Sequence, residues 1–370
     1  MGNTDYFCKG VVNMKVLIDF QIFILQKYGG VSRQFYEVYD YGRHQLSDNV
    51  FLPVIFSQNY YLNNSRNEIV SYSGLKRKIL FKINTFYTIL FLLTHRVDIY
   101  HASSYSPYLN NCFKMIKRVC TVHDMIYEIF SDKIDQSQKV ISEKRKAILS
   151  ADAIIVVSEN TRKDLLSYYP EITNKRIKVI YPGGLTSKEV MEITVPKKYI
   201  LFIGERHGYK NFLTFFRGIA GIMKDNAELC LVCVGGGIFT ENELSLFYEN
   251  SLNERVFQIG CKDAELNYIY KHAECFVYPS LYEGFGLPII EAFDNGCPVA
   301  CSNASCFPEV AGNAAIFFDP NDVDDITLKV KTLVNDSSVR SMLAIKGKER
   351  AKMFTWENFA KGVFDLYREL

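Results

Sequence analysis

Glu283 and Glu291 stand eight positions apart in the segment Tyr282-Glu-Gly-Phe-Gly-Leu-Pro-Ile-Ile-Glu291, which follows the apolar run Cys275–Pro279. Gly284 and Gly286, with Phe285 between them, permit a tight turn and close approach of backbone to a ligand. Pro288 fits the first turn of a helix, where its missing N–H costs nothing. The amides of Leu287, Ile289 and their neighbours would then meet a ligand with the positive end of the helix dipole, a ready seat for a diphosphate. Glu291, one turn into that helix, suits the diol of a ribose. Glu283, in the loop, suits the hydroxyls of a sugar. Glycines alone would mark only a strand–loop–helix turn, and the two carboxylates around it add the chemistry.

Cations stand near a second strand end, in Gly204-Glu-Arg206-His-Gly-Tyr-Lys210-Asn211. A departing nucleoside diphosphate gains negative charge, and Arg206 and Lys210 beside it would stabilise that charge in place of a metal. Tyr28-Gly29-Gly30-Val-Ser32-Arg33 follows the first strand and offers a third close approach of backbone; it matches neither the Walker loop nor G-x-G-x-x-G. Thr121-Val-His123-Asp124 ends another strand, which turns His123 and Asp124 towards a cleft, and His101 ends the run Asp98-Ile-Tyr-His101. Arg33, His101 and Asp124 are acceptor-side candidates. Ser158-Glu-Asn160 reads first as an ordinary helix N-cap. Asp322-Val-Asp324 has the spacing of a metal-holding acid pair, but it follows Asp319-Pro-Asn and opens a helix, so capping explains it. No metal ligand set is expected.

Positioning these residues takes a regular scaffold. Strand-like runs cover Lys15–Phe20, Val50–Phe56, Val97–His101, Val119–Val122, Ile154–Ser158 and Ile177–Tyr181. A second series covers Tyr199–Gly204, Leu229–Gly235, Val256–Gly260, Cys275–Pro279, Val299–Ser302 and Ala315–Phe318. Helical patterns such as Val31–Leu46, Gln138–Ser150 and Glu159–Tyr169 lie between them. The alternation predicts an α/β protein with two doubly wound, parallel, Rossmann-like sheets, and a ligand in the cleft between the carboxyl ends of their strands. Pro182-Gly-Gly184 and the polar stretch to Pro196 form the linker, which divides the chain into 1–184 and 185–354. Residues 1–13 are expected to be a disordered extension. The amphipathic helix in 355–370 has no strand after it and is expected to cross back to the first domain.

Composition narrows the class. The chain has 370 residues, enough for two ordinary domains. Its 43 basic and 41 acidic residues leave a net charge of +2, so no broad basic face for nucleic acid is indicated. Ten cysteines in a chain of this size do not make a disulfide framework; Cys230, Cys233, Cys275, Cys297 and Cys301 sit in apolar stretches, and Cys230-x-x-Cys233 has no second pair or nearby His. Reduced thiols and a polar start without a signal-like core point to the cytoplasm. The segment Leu75–Thr94 combines Lys76, Arg77, Lys78 and Lys82 with a run of Ile, Phe, Tyr and Leu. It is too interrupted to span a bilayer, and either burial or peripheral membrane contact would use its apolar face.

The acidic segment resembles the E-x7-E signature of the retaining family 4 glycosyltransferases of the GT-B fold (glycosyl transferases group 1), of the bacterial cell-envelope polysaccharide type. The resemblance covers nearly the whole chain. It implies a metal-independent, retaining transfer of a hexose from a UDP-, GDP- or ADP-sugar to a hydroxyl of a glycan or lipid-linked acceptor, without cofactor. O-antigen, capsule or other envelope polysaccharide synthesis is the expected setting. Arg206 and Lys210 are similar to the family's basic pair, Gly29-Gly30 to its glycine loop, and His123 to the His that lies against the donor sugar. The expected catalytic set is thus Arg206, Lys210, His123 and Glu283, with Gly29, Gly30, Gly284–Ile289 and Glu291 holding the donor. The alternatives on the same scaffold are a nucleotide-sugar epimerase, a phosphorylase, or a non-catalytic nucleotide-sugar binding protein.

Overall fold

The computed structural model describes residues 14–45, 49–62, 71–105, 109, 113, 115–184 and 189–370. The expected extension at 1–13 and linker residues 185–188 lie outside these. The first half runs β1 (Val16–Ile18), α1 (Gln21–Leu25), α2 (Gly30–Gln45), β2 (Val50–Phe51), α3 (Gly74–Thr94), β3 (Ile99–Ala102), β4 (Lys117–Val122), α4 (Ile126–Ile129), α5 (Ser137–Ser150), β5 (Ala153–Val156), α6 (Glu159–Tyr168) and β6 (Arg176–Val179). The second half runs β7 (Tyr199–Ile203), α7 (Phe212–Asp225), β8 (Cys230–Val234), α8 (Glu241–Glu249), β9 (Val256–Ile259), α9 (Asp263–His272), β10 (Cys275–Tyr278), α10 (Leu287–Asp294), β11 (Val299–Ser302), α11 (Phe307–Ala311) and β12 (Ala315–Phe318). Helices α12 (Val323–Asn335), α13 (Ser337–Ala351) and α14 (Trp356–Arg368) close the chain.

Every strand pair is parallel, in the orders β2-β1-β3-β4-β5-β6 and β12-β11-β10-β7-β8-β9. Strands β1, β5, β10 and β11 are buried at every residue. Helices cover both faces of each sheet, so these strands are continuous apolar runs without alternation. The order reverses beside β1 and β7, and in such sheets the ligand crevice lies outside the carboxyl ends of the strands at the reversal. The expected two-sheet α/β architecture is what the chain adopts.

One strand is much shorter than its sequence suggests. The run Val50–Phe56 pairs only at Val50 and Phe51. Pro53 has no N–H to give a ladder. The amides of Ile55 and Phe56 donate instead to Asn84 Oδ1 on α3, at 3.0 and 3.1 Å.

The chain passes between the domains twice, side by side. Gly184 N donates to Phe354 O at 3.1 Å, and Trp356 Nε1 donates to Gly184 O. A Cβ on Gly183 would sit 2.3 Å from Trp356 N, so only glycine lets the two crossings touch. Helix α14 then buries Trp356, Phe359, Val363, Phe364 and Tyr367 in the core of the first domain, against α2.

Candidate functional site

Gly286 opens α10 from a left-handed conformation (φ 88°), the geometry that suits glycine. Ile289 N bonds Gly286 O at 2.9 Å to complete the first turn. Side chains divide from backbone here. Ile289 is fully buried in the core, and the Phe285 ring packs on Tyr181 and Phe354 at 6.1 and 5.5 Å. These two residues were expected at the donor, but their side chains are spent on the core and Ile289 N is taken by Gly286 O.

Glu291 accepts a hydrogen bond from Tyr270 Oη at 3.1 Å, and the same hydroxyl reaches Pro288 O at 3.2 Å. Burial pushes the Glu291 carboxyl up to about 7, against the Tyr270 hydrogen bond and the Arg33 charge, which pull it down. Folded protein therefore holds this proton where unfolded chain has lost it, and stability falls as pH rises through the window from 4.5 to about 7. A ribose diol donating to the carboxylate form, the role expected of Glu291, would give ligand binding the opposite sign. Nucleoside-diphosphate affinity measured by calorimetry is expected to weaken as pH drops from 8 to 6, and Glu291→Gln should flatten that dependence. A pH-indifferent wild type would remove Glu291 from ribose recognition.

Lys210 and Glu283 meet directly. Lys210 Nζ donates to Glu283 Oε1 at 2.6 Å, lies 3.4 Å from the Tyr278 hydroxyl, and faces the rings of Tyr209 and Tyr278 at 5.3 and 5.5 Å. Ser305, far off in sequence, fixes the backbone of the same residue: its Oγ accepts from Glu283 N at 3.2 Å and donates to Glu283 O. Arg206 is placed otherwise. Its Nε donates to Glu243 at 2.7 Å, and its remaining nitrogens reach the carbonyls of Gly235, Gly236, Gly237 and Ile238. The expected basic pair is therefore one cation beside Glu283 and one that ties down the 235–238 loop.

The first domain approaches this loop closely. A Cβ on Gly30 would lie 2.7 Å from Leu287 Cδ1, so the N-termini of α2 and α10 converge. Both helix dipoles present positive ends there, although Ile289 N is taken by Gly286 O, Ser32 N by Gln26 Oε1 at 3.2 Å, and Pro288 has no N–H. Gly29 holds the turn through its carbonyl, which accepts from Ser32 Oγ at 2.9 Å and Arg33 N at 3.1 Å. His123 lies edge-on to Phe35, and its Nδ1 is buried without a hydrogen bond among the described residues. Burial, with the Lys144 ammonium second, holds the imidazole down to about 3, so His123 is neutral. Lys144 itself forms a buried ion pair with Glu128 at 2.8 Å and donates to Asp124 O at 3.0 Å. Asp124 Oδ1 accepts from Ile126 N at 3.1 Å, which opens α4.

Two acceptor-side candidates are located elsewhere than expected. His101 is 1% exposed, and both ring nitrogens are used: Nδ1 with Tyr367 Oη at 2.6 Å and Nε2 with Thr121 Oγ1 at 2.8 Å. It links β3 and β4 to α14 and has no group left for a ligand. Arg33 is buried, lies over Trp356 at 5.3 Å and is 3.6 Å from Glu37 on its own helix, with its charge also acting on Glu291. Asp322 accepts from the amides of Asp324 and Asp325 as the cap of α12. Residues the sequence did not mark include Tyr209, stacked across the domains on Phe130 at 5.7 Å, and Ser305. Tyr209 had a signal in its place beside Lys210; Ser305 had none.

Two facing parallel sheets, two helix N-termini that converge at the reversal point and a cation fixed beside a loop carboxylate make up an architecture of the GT-B class. Residues 29–184 match the model for Glycosyltransferase Family 4, and residues 186–350 match that for Glycosyl transferases group 1. The chain is 30% identical over 292 residues to O-antigen chain mannosyltransferase B of Escherichia coli, covering 74% of each. It belongs to this glycosyltransferase family and is a glycosyltransferase. Sucrose-phosphate synthase from Thermosynechococcus elongatus has the same fold, with TM-score 0.72, 17% identity, and 96% and 98% of the two chains covered. So does HepE of Anabaena, solved with UDP and glucose, with TM-score 0.70, 15% identity, and 96% and 100% covered.

Proposed function

We propose that this glycosyltransferase moves a hexosyl unit, with mannose as leading candidate, from a nucleoside-diphosphate sugar to a hydroxyl of a lipid-linked or envelope glycan. The reaction needs no metal and retains configuration at the anomeric carbon. The observation that carries this is Lys210, a cation held 2.6 Å from Glu283 beside two converging helix N-termini. Such a cation stabilises the leaving diphosphate as its charge grows. Mannose follows from the relative at 30% identity, a mannosyltransferase of O-antigen chains. Glu283 holds sugar hydroxyls and is not the nucleophile. The bond from C1 to the diphosphate breaks while the acceptor oxygen bonds C1 on the same face, and the acceptor proton passes to the departing phosphate. Membership of a transferase family sets the epimerase and binding-protein alternatives aside.

A panel of UDP-, GDP- and ADP-sugars tests this reading. One donor class should raise the thermal midpoint, because ligand that binds only folded protein stabilises it. Transfer to a lipid-linked acceptor should survive EDTA; strict dependence on added Mg²⁺ or Mn²⁺ would overturn the metal-free mechanism.

The enzyme works at the inner face of the cytoplasmic membrane, through α3. Leu75, Ile79, Ile83, Phe86, Leu90 and Leu93 recur at three- and four-residue steps and are all exposed, Leu75 at 74% and Phe86 at 69%. The opposite face buries Asn84, Thr88 and Leu92. Lys76, Lys78 and Lys82 flank the stripe. No described helix is long and apolar enough to cross a membrane. An apolar stripe bordered by lysines instead suits an anionic bilayer surface, with the helix lying in its plane. Co-sedimentation with vesicles containing anionic lipid should be lost in Phe86→Glu/Leu93→Glu. Equal binding to purely zwitterionic vesicles, or self-association through α3, would replace this reading.

A further inference from the structure

The amino end of α6 belongs to the first domain, yet second-domain groups occupy it. Glu309, on α11, accepts from Glu159 N at 2.7 Å and Asn160 N at 3.1 Å, and also from Tyr181 Oη at 2.9 Å. Helix α6 has its own cap: Ser158 Oγ accepts from Thr161 N at 3.0 Å. Glu309 is therefore a second cap supplied across the domain boundary, to two orphan amides at a positive helix end. The other contacts there also join the two domains. Ser158 Oγ and Thr161 Oγ1 donate to Gly284 O at 2.7 and 3.2 Å, and Tyr282 Oη donates to Asp164 at 2.9 Å. One helix end in the first domain thus holds both α11 and the donor loop of the second.

We propose that Glu309 is a positioning residue, whose carboxylate seated on α6 sets the closed domain arrangement in which transfer occurs. Of the groups expected at the donor, Glu291 and the start of α10 lie in the second domain. The Gly29-Gly30 loop, Arg33 and His123 lie in the first. The second domain thus carries the larger share of the expected nucleotide contacts, while transfer requires both domains in register. Loss of Glu309 leaves the second-domain part of the seat whole and releases the register. Arg350 Nη2 and Nε donate to the carbonyls of Glu309 and Val310, which holds α11 in place independently of the carboxylate.

The test is a split between binding and turnover. Glu309→Ala should lower kcat by about ten- to a hundredfold, the scale of an ångström misplacement. Its affinity for UDP, GDP or ADP, whichever binds wild type, should stay within about threefold, since no group that touches nucleotide is removed. Glu309→Gln keeps one acceptor oxygen and should fall between Ala and wild type. Small-angle scattering of ligand-free Glu309→Ala should show a larger radius of gyration. The kinetic arm rests on the donor reading above, whereas scattering does not, so failure of one is distinguishable from failure of the other. An unchanged kcat, or nucleotide affinity lost in step with kcat, would overturn the proposal. If Glu309→Ala does not fold, Ser158→Ala/Thr161→Val, which frees Gly284 O from the first-domain side, must show the same split or the proposal fails.

Discussion

Gly284→Ala is expected to lose at least about a hundredfold in kcat. A Cβ at this position would sit 1.7 Å from the carbonyl oxygen of His123 and 3.2 Å from Asp124 Cβ. Neither neighbour can yield as a flexible side chain would, because the first is backbone at the end of β4. The loop itself is fastened, with Gly284 O accepting from both Ser158 and Thr161. Relief requires the donor loop to withdraw from the first domain by more than an ångström, carrying Glu283 with it. Misplacement on that scale costs about 10² in rate even without loss of a catalytic group. Both domain cores stay whole, so the thermal midpoint should change little while activity collapses. Steady-state kinetics at saturating donor decide the matter, and turnover within tenfold of wild type would show that the close approach is not needed.

The second large effect is at Lys210. Lys210→Ala should cost about 10²–10³ in kcat, or about 3–4 kcal/mol, as removal of a preorganised stabiliser of developing charge does. Donor KM should move much less, because the charge being stabilised grows only as the bond breaks. A structural explanation competes: without Lys210, Glu283 loses the partner that its 12% exposed side chain now has. The double variant Lys210→Ala/Glu283→Gln separates the two. If Lys210 served only to neutralise Glu283, the double variant would regain most of the single variant's loss. If Lys210 acts on the diphosphate, the double variant stays as slow or slower. Arg206 cannot be tested in the same way. Its guanidinium is spent on Glu243 and on four consecutive carbonyls, so its truncation would disturb a loop as well as any charge at the site.

The sequence by itself determined the architecture and the helix start at which a donor is expected. Both follow from local rules: apolar runs alternating with helical periods dictate parallel sheets, and Gly286-Leu-Pro288 sets a helix start wherever it lies in space. The length of β2 escaped, because Asn84, on α3, takes the amides that a ladder would have used. Side-chain direction escaped as well. Phe285 and Ile289 lie within the donor motif but serve the core, and His101 ends a strand as His123 does, yet Tyr367 on the last helix closes it off.

What only the tertiary structure decided is which charges meet. Arg206 and Lys210 are four positions apart, and no local rule separates their roles; Glu243 captures one and Glu283 the other, at 2.7 and 2.6 Å. Electrostatic pairing depends on distance through space, which the chain sets only when both sheets are built and α14 has returned to the first domain. The same holds at α6. Its Ser158 cap is legible from three residues of sequence, whereas Glu309 arrives from 149 or 150 positions away.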